Sequence, residues 1–304
     1  MNVAVIINDG RIFLIISIIL GCVNDVLSKC MIDHISSEEI VFFRFFVGAV
    51  VLIPFMKRAN YVKLIKGKNS FLNCVRAILG VISIWLCTYS LLHLKLVEIT
   101  MLMWTIPLFE LFLSWIFFRD KATNVQILSA MICFTCIVGF SFNSVSMYHY
   151  QFFIFPLVAA VLFAIQDIII KKIGGDAKQD INALFLFSVV ASMGSFCFIF
   201  HQGLSQILWR DVFFLIALGI CSNLTQYFLF VAFRNANLSY LALTKYLEFT
   251  IQIIFGYLFF SEIPSIANVT CAMILIISIT IGNRSKKLLS QQHPSILKDT
   301  THHR

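Results

Sequence analysis

The chain has 304 residues, of which 60% are hydrophobic and only 12% are charged. Soluble globular domains average about 25% charged residues, so this composition, with a mean hydropathy of +0.91, excludes a water-soluble globule. Only 13 glycines and 5 prolines are present, which excludes collagen-like and low-complexity disordered chains. The formal net charge of +8 would suit a nucleic-acid partner, but in so apolar a chain membrane orientation is the first explanation for basic residues.

Apolar windows separated by polar breaks predict ten transmembrane helices, because one span needs about 20 apolar residues. The predicted spans cover residues 12–32, 40–56, 72–93, 96–118, 123–142, 151–172, 181–200, 211–233, 238–260 and 265–283. The predicted fold class is therefore an all-α integral membrane protein with tails at 1–11 and 284–304 and no room for a soluble domain. The first span carries Asn24, Asp25 and Lys29, and no small-residue cleavage site follows it, so we expect a span rather than a signal peptide.

Lysine and arginine are distributed unevenly between the two sides of the predicted bundle. Of the 23 such residues, 17 fall on the side of the two termini, and only Lys95 and Arg210 fall on the other side. The remaining four, Lys29, Arg44, Arg76 and Lys245, lie within spans. Because basic residues accumulate on the cytoplasmic side, both termini are predicted to be cytoplasmic, and no nucleic-acid partner is expected.

The second half of the chain resembles the first at one constant spacing, here called the repeat offset. This offset aligns Asp25 with Asp167 and Lys29 with Lys171. It also aligns three aromatic pairs: Trp85 with Tyr227, Trp104 with Tyr246 and Trp115 with Tyr257. Chance similarity among apolar residues is the alternative, but polar and aromatic matches at one constant offset favour a repeat.

The repeat predicts the architecture of the bundle. Each unit holds five spans, the first over residues 12–142 and the second over 151–283. Because five is an odd number, the second unit is predicted to be inverted in the membrane, as in many secondary transporters. Two inverted units that exchange conformations predict alternating access to a site near the membrane midplane.

Charged residues inside predicted spans are the first candidates for a substrate site, because each costs at least about 2.5–3.5 kcal/mol to insert and needs a partner. Glu110 and Glu248 fall close to the predicted midplane when about 1.5 Å is counted per residue. Lys245 and Gln252 have the spacing of one helical face, and Pro107 beside Glu110 is expected to loosen its span. We expect Glu110, Lys245, Glu248 and Gln252 to bind substrate, with structural charge pairing as the alternative.

Two further acids each precede a lysine by four residues. The pairs are Asp25 with Lys29 and Asp167 with Lys171. Such pairs can neutralise each other on one helix, which is the structural interpretation. The functional interpretation is that Asp25 and Asp167 bind a substrate cation or a proton, while Lys29 and Lys171 act as gating or structural charges.

Three other charged residues lie nearer the predicted membrane faces. Arg44 and Arg76 are about one turn inside opposite faces, so structural anchoring and a substrate or gating role stay equally open. We place Arg44 with the expected substrate-binding residues and Arg76 with the gating or structural charges. Glu98 lies within a turn of the outer edge and is expected to reach the interface.

Aromatic residues accompany these charges. Trp85 and Tyr89 share a face of the third span, Trp104 and Tyr246 flank the midplane acids, and Tyr227 lies in the inner half. Packing is the alternative explanation for such rings in a membrane bundle. Rings beside carboxylates nevertheless suit a planar or cationic ligand through stacking and cation–π contacts, so a cationic aromatic metabolite is predicted rather than a sugar or an inorganic anion.

Enzyme chemistry is not indicated. The sequence has no HExxH, GxSxG or Walker A motif, so we predict neither an enzyme nor ATP hydrolysis by this chain. The nine cysteines lie in or at the ends of apolar stretches and are interpreted as packing residues. Cys133 and Cys136 have CxxC spacing, but with no nearby histidine and no βαβ context they predict no metal or redox site. No cofactor is expected.

Several stretches resemble a known family. They are NDVLSK at 24–29, EEIVFFRFF at 38–46, VRAILG at 75–80, TIPLFE at 105–110, FAIQDIIIKK at 163–172 and KYLEF at 245–249. These are similar to the S-adenosylmethionine transporters of obligate intracellular bacteria, which belong to the ten-span, EamA-type drug/metabolite transporter superfamily. The resemblance covers nearly all of residues 11–285, and its most specific part contains Asn24, Asp25, Lys29 and Arg44.

The resemblance implies uptake of S-adenosylmethionine across the bacterial inner membrane in exchange for S-adenosylhomocysteine. This cargo carries a sulfonium, an ammonium, a carboxylate and a purine, so Glu110, Glu248 or Asp25 would meet its cations and Lys245 or Arg44 its carboxylate. The alternative is a proton-coupled exporter of amino acids or another metabolite in the same superfamily. The expected partners are a cationic, purine-containing small molecule and the lipid bilayer, and the sequence leaves monomer and homodimer both open.

Overall fold

The computed structural model describes residues 10–31, 35–55, 70–91, 93–94, 99, 102–120, 122–141, 151–173, 177–199, 209–261, 263 and 266–292. These residues form α-helices and short turns, with no strand among them. The all-helical architecture predicted from the sequence is confirmed. In lipid, a helix pairs its backbone groups within one segment, so apolar runs of this length have few other ways to fold.

In the first half the described residues contain five α-helices with both ends defined, which we number in chain order. They are α1 (Gly10–Lys29), α2 (Ser37–Leu52), α3 (Ser70–Leu91), α4 (Ile106–Phe118) and α5 (Asn124–Ser141). A 3₁₀ turn, Ile53–Phe55, follows α2. At the start of α2 the Ser36 side chain accepts from the Glu39 N–H, and the Glu39 carboxylate accepts from the Ser36 N–H. This capping box fixes where α2 begins.

In the second half the described residues form six α-helices, because the fourth predicted span is divided in two. They are α6 (Ile154–Ile173), α7 (Ala177–Ile199), α8 (Trp209–Asn235), α9 (Leu238–Lys245), α10 (Leu247–Phe260) and α11 (Ile266–Gln292). Tyr246 separates α9 from α10. The last helix continues to Gln292, whereas the apolar pattern predicted its end at residue 283. Lys95 and Glu98, with part of the predicted fourth span, lie outside the described residues.

Four segments are long and apolar enough to cross a membrane by themselves: Gly10–Lys29, Ser70–Cys87, Gln151–Ile173 and Trp209–Asn235. Four shorter apolar helices lie at Ile106–Phe118, Asn124–Gly139, Asp180–Phe196 and Val269–Ser285. The ten-span inverted repeat therefore stays a prediction. Large apolar side chains such as Phe117, Phe213 and Leu258 are more than half exposed, as expected of a surface that faces lipid.

Helix packing follows a regular scheme. Helix α1 packs along α8, and α3 packs along α6. Similarly, α2 contacts α8 and α3 contacts α7, while α4 contacts α6 and both α9 and α10 contact α1. The helices α2 and α7, α4 and α9, and α5 and α11 pack against each other. When each helix is replaced by its counterpart at the repeat offset, the contact of α1 with α8 becomes that of α6 with α3. The contacts of α2 with α8 and of α4 with α6 likewise become those of α7 with α3 and of α9 and α10 with α1. The pairs α2 and α7, α4 and α9, and α5 and α11 are each unchanged by this replacement.

The buried core consists of several clusters. One contains residues of α1, α6, α7, α8 and α9, including Leu14, Ile170 and Phe233. A second contains residues of α4, α5, α9 and α11, including Leu243 and Leu275. Helix α9 contributes to both clusters, so its last residue, Lys245, is held at the centre of the bundle.

Candidate substrate-binding site

A buried lysine joins two carboxylates from different helices. The Nζ of Lys245 donates to Glu110 Oε1 on α4 and, at 2.5 Å, to Asp167 Oδ2 on α6. The side chain of Glu110 is fully buried, and those of Lys245 and Asp167 are 16% and 11% exposed. These three residues, here called the charged triad, bring together both halves of the chain.

The position of Lys245 depends on a break in the helical path. Helix α9 ends at Lys245, and the Tyr246 N–H donates to the carbonyls of Leu243 and Thr244 rather than continuing the regular pattern. The chain resumes a helix at Leu247. A lysine at the last turn of a helix is favoured by the partial negative charge there.

Helix α4 begins beside the triad in a related way. Turn residues Trp104 and Thr105 precede it, and Pro107 lies within its first turn. The sequence predicted that Pro107 would loosen the interior of a continuous span. Instead, Pro107 occupies the part of a helix where its missing N–H has no partner to lose. The break comes before Pro107, and Glu110 lies on a regular helix.

The triad carries unsatisfied charge and hydrogen-bonding capacity. Two carboxylates against one ammonium leave one negative charge when all three are ionised. Arg76 and Glu248, which interact electrostatically with Asp167 and Lys245 respectively, add one charge of each sign. Among the described residues, Glu110 Oε2 and the Tyr246 hydroxyl are buried with no hydrogen-bond partner. Buried polar atoms are nearly always paired, so both atoms suit a ligand that supplies a cationic donor.

Aromatic rings border the triad. The Trp104 and Tyr246 rings stack at a centroid distance of 6.2 Å and an interplanar angle of 21°, with Phe249 edge-on to Trp104. The Lys245 ammonium lies 5.3 Å from the centre of the Phe233 ring. The structure thus brings together five of the predicted binding residues, Trp104, Glu110, Asp167, Lys245 and Tyr246.

A second polar cluster forms around Asp25. Its Oδ2 accepts from Gln252 Nε2 at 3.2 Å, and it interacts electrostatically with Arg44 and Glu248. The spacing predicted Lys245 and Gln252 on one helical face. The break at Tyr246 separates them, so Lys245 contacts the triad and Gln252 contacts Asp25.

The second cluster is the counterpart of the triad under the repeat offset. Asp25 corresponds to Asp167, and Gln252 corresponds to Glu110. The position that corresponds to Lys245 is Met103. One half of the bundle therefore has two acids with a lysine between them, whereas the other has a direct hydrogen bond between an acid and an amide.

Helix α8 presents polar side chains to two helices of the first half. Asn24 on α1 donates to Thr225 Oγ1 at 3.2 Å, Arg44 on α2 donates to Ser222 Oγ at 2.8 Å, and Asn223 donates to the Gly48 carbonyl at 2.7 Å. The sequence analysis identified Asn24 and Arg44 but not their partners on α8.

Arg76 is almost completely buried, at 2% exposure. Its guanidinium donates to Gln226 Oε1 at 2.8 Å and lies 4.5 Å and 5.0 Å from the ring centres of Phe187 and Phe230. These contacts join helices α3, α7 and α8, and Arg76 also interacts electrostatically with Asp167 of the triad, so anchoring and a substrate or gating role both stay predictions.

The remaining predicted residues lie in other surroundings. Lys29 lies over the Phe260 ring at 4.2 Å, and Lys171 donates to the carbonyls of Phe233 and Ala236. The Trp85 and Tyr89 rings stack on each other, and Tyr89 also contacts Phe155. Tyr227 packs at the edge of the first core cluster.

One residue beside the triad was missed by the sequence analysis. Gln166 donates to Ser83 Oγ at 3.4 Å. The signal was available, because the repeat offset aligns Gln166 with Asn24 and Ser83 with Thr225. The two hydrogen bonds, from Asn24 to Thr225 and from Gln166 to Ser83, are counterparts in the two halves.

Metal binding has no support in the described residues. No group of three or more His, Cys, Asp or Glu side chains among them is arranged to hold a metal ion.

Comparison with known proteins finds relatives of this chain. Residues 9–142 match the EamA-like transporter family. Over 289 residues the chain is 27% identical to the S-adenosylmethionine uptake transporter of Rickettsia prowazekii, covering 94% of this chain and 97% of that protein. The matched family and this relative are transporters, so the prediction that the chain is not an enzyme is confirmed. They are multi-pass membrane proteins of bacteria.

Other relatives are named as transporters of different cargoes. The pseudopaline exporter CntI of Pseudomonas aeruginosa is 24% identical, covering 83% of this chain and 87% of that protein. The riboflavin transporter of Brucella anthropi is 25% identical, covering 76% and 82%. A solved crystal structure shares the fold, with a TM-score of 0.74 at 12% identity, covering 90% of this chain and 96% of that one.

Proposed function

We propose that this protein, whose first half matches the EamA-like transporter family, is a secondary transporter that imports S-adenosylmethionine across the bacterial inner membrane. It exchanges this cargo for S-adenosylhomocysteine by alternating access, with both termini cytoplasmic. The similarity to the Rickettsia transporters over nearly the whole chain supports this cargo.

The charged triad is the observation that carries the proposal. It is buried, bears one net negative charge when ionised, and leaves Glu110 Oε2 without a partner. S-adenosylmethionine has one net positive charge, from a sulfonium, an ammonium and a carboxylate. This charge is opposite in sign to that of the triad, and the Trp104 and Tyr246 rings suit its purine and its cations. Asp25 and Glu248 provide further acidic groups on the Gln252 side.

The relation between the two halves supports alternating access. Helix contacts exchange under the repeat offset, and the hydrogen bonds of Asn24 and Gln166 are counterparts. Two similar units that hold different versions of one cluster can exchange conformations and open the site to opposite sides. The excess of lysine and arginine on the side of the termini supports cytoplasmic ends.

An exporter of another metabolite is the second candidate, because the pseudopaline and riboflavin transporters are also relatives. It would be coupled to protons, since buried carboxylates are common proton relays in transporters. In such a protein the proton gradient would drive movement of the cargo, and no second cargo would be needed on the opposite side.

Exchange in proteoliposomes distinguishes the two candidates. Vesicles loaded with S-adenosylhomocysteine should take up labelled S-adenosylmethionine saturably, and empty vesicles with an imposed proton gradient should not. Glu110→Gln and Glu248→Gln should each abolish saturable uptake, while Glu38→Gln, an acid-to-amide change in the first turn of α2, should retain it. Uptake driven by the proton gradient alone would contradict exchange, and normal uptake in both site variants would contradict the proposed site.

A further inference from the structure

The charged triad has more capacity for cations than Lys245 supplies. The ammonium contacts one oxygen of Glu110 and one of Asp167. The other Glu110 oxygen is buried without a partner among the described residues, and so is the Tyr246 hydroxyl beside it. A second ammonium would satisfy these atoms and cancel the remaining negative charge.

The fold does not need a lysine at this position. In the corresponding place of the first half stands Met103. There the counterpart acid, Asp25, accepts directly from Gln252. The same helix relation is therefore built without a lysine at this position, which indicates that Lys245 has a role particular to the triad.

Lys245 is also placed where its side chain can turn. It is the last residue of α9, the chain breaks at Tyr246, and its side chain is 16% exposed while Glu110 is fully buried. A flexible stem with an ammonium at its end can change partners by rotating its side chain alone. Glu110, by contrast, lies within the regular helix α4 and not beside a break in the chain.

We propose that Lys245 is an internal counter-cation of the transport site. In the empty site it holds Glu110 and Asp167; when the ammonium of a cargo takes its place between the carboxylates, Lys245 turns to the cargo's carboxylate. The site therefore recognises an α-amino-acid group, the part that S-adenosylmethionine and S-adenosylhomocysteine have in common. This inference rests on the proposed function and specifies which end of the cargo the triad binds.

Exchange of one ion pair for another keeps a carboxylate partner for Lys245 throughout. An ammonium removed from its carboxylates without a new partner would remain as an uncompensated charge, which is strongly unfavourable in a low-dielectric interior. With the cargo bound, two cations and three carboxylates share the site, and the sulfonium is left for the Asp25 and Glu248 side. The same cycle operates with either exchanged cargo, since both carry the amino-acid group.

The test compares cargo analogues with and without the carboxylate. Inhibition of labelled S-adenosylmethionine uptake is measured with unlabelled S-adenosylmethionine and with its decarboxylated analogue, which keeps the ammonium, sulfonium and purine. The purified transporter should prefer the complete molecule by about 10- to 100-fold, the range expected for a hydrogen bond to a charged group. In Lys245→Met the two compounds should inhibit about equally, whereas Lys245→Arg should keep the preference.

A double variant controls for the case in which Lys245→Met alone fails to fold. Lys245→Met leaves two buried carboxylates, whereas Lys245→Met with Asp167→Asn restores the original net charge of the triad. This double variant should also lose the preference for the carboxylate. If the unsubstituted transporter discriminates and either Met variant discriminates equally, the inference is wrong. If the unsubstituted transporter takes up no S-adenosylmethionine, the proposed function is wrong and the inference fails with it.

Discussion

Arg119 and Ser261, which the repeat offset aligns, end their helices in the same left-handed backbone conformation. Their φ angles are 53° and 54°, and they are the non-glycine residues with positive φ among those described. The N–H of each donates to the carbonyl five residues earlier, of Ser114 and Gly256 respectively. The constant offset found in the sequence is thus repeated in backbone geometry at the ends of α4 and α10.

Glycine at residue 261 should stabilise the protein. The left-handed conformation costs an L-residue about 1–2 kcal/mol, and the greater freedom of glycine in the unfolded chain costs about 0.5–1 kcal/mol. We therefore expect Ser261→Gly to raise the thermal unfolding temperature in detergent. Ser195 lies inside α7, where its hydroxyl donates to the Ala191 carbonyl of its own helix. Ser195→Gly should lower the free energy of unfolding by about 1 kcal/mol, and with it the unfolding temperature. Equal losses in both variants would contradict the assigned backbone conformation.

Gly219 should not tolerate a methyl group. A Cβ there would lie 2.7 Å and 2.8 Å from two atoms of Val47 and 3.0 Å from the backbone nitrogen of Gly48. Small residues permit such close approach of membrane helices, so Gly219→Ala should force α8 away from α2 and destabilise the protein by about 1–3 kcal/mol.

Gly139 provides the matched control for this substitution. It lies within α5, and a Cβ at this glycine would meet no atom within 4 Å. Gly139→Ala should therefore be neutral or stabilising by up to about 1 kcal/mol, the gain of alanine over glycine in a helix. Thermal unfolding of the two variants in detergent gives the comparison, and a stabilised Gly219→Ala would refute the close packing of α2 and α8.

Arg76 should be irreplaceable by lysine. Its planar guanidinium lies between Phe187 and Phe230 while donating to Gln226, and an ammonium cannot stack in this way. We expect Arg76→Lys to lower the stability by about 2–4 kcal/mol, as for a buried charge that loses its partners. Arg210→Lys, at a side chain that is 61% exposed, should change it by less than about 0.5 kcal/mol. Thermal unfolding measures both, and similar effects would contradict the buried position of Arg76.

Cys136 and Cys271 should form a disulfide on oxidation. Their sulfur atoms lie 2.9 Å apart, joining α5 to α11. Copper-phenanthroline, as oxidant, would remove two electrons and two protons as the S–S bond forms. A cross-linked peptide pair should then be found by mass spectrometry, and both thiols should resist alkylation until they are reduced.

Cys133 distinguishes this prediction from a reactive CxxC pair. Cys133→Ser should keep the cross-link, whereas Cys136→Ser should abolish it. If oxidation instead joins Cys133 to Cys136, the packing of α5 against α11 is wrong. The sequence spacing drew attention to the two cysteines on one helix, but the structure pairs Cys136 with a cysteine 135 residues away.

The sequence by itself determined the helical class, most helix positions and the candidate charges. Apolar windows predict helices in lipid because the backbone must be satisfied within each segment, which is a local requirement. The repeat offset was equally readable, because it depends only on residue identity. It even contained the counterparts Gln166 and Ser83, which align with Asn24 and Thr225.

Only the tertiary structure decided which charges meet. Asp25 and Asp167 each precede a lysine by one helical turn, yet Asp167 binds Lys245, 78 residues away, and Asp25 binds Gln252, 227 residues away. Such partners depend on how each helix is rotated about its axis and where it breaks. The break at Tyr246 directs Lys245 and Gln252 to different clusters, although a continuous helix would stack them. Rotation and breaks follow from packing between helices, and the apolar pattern of a single helix does not determine that packing.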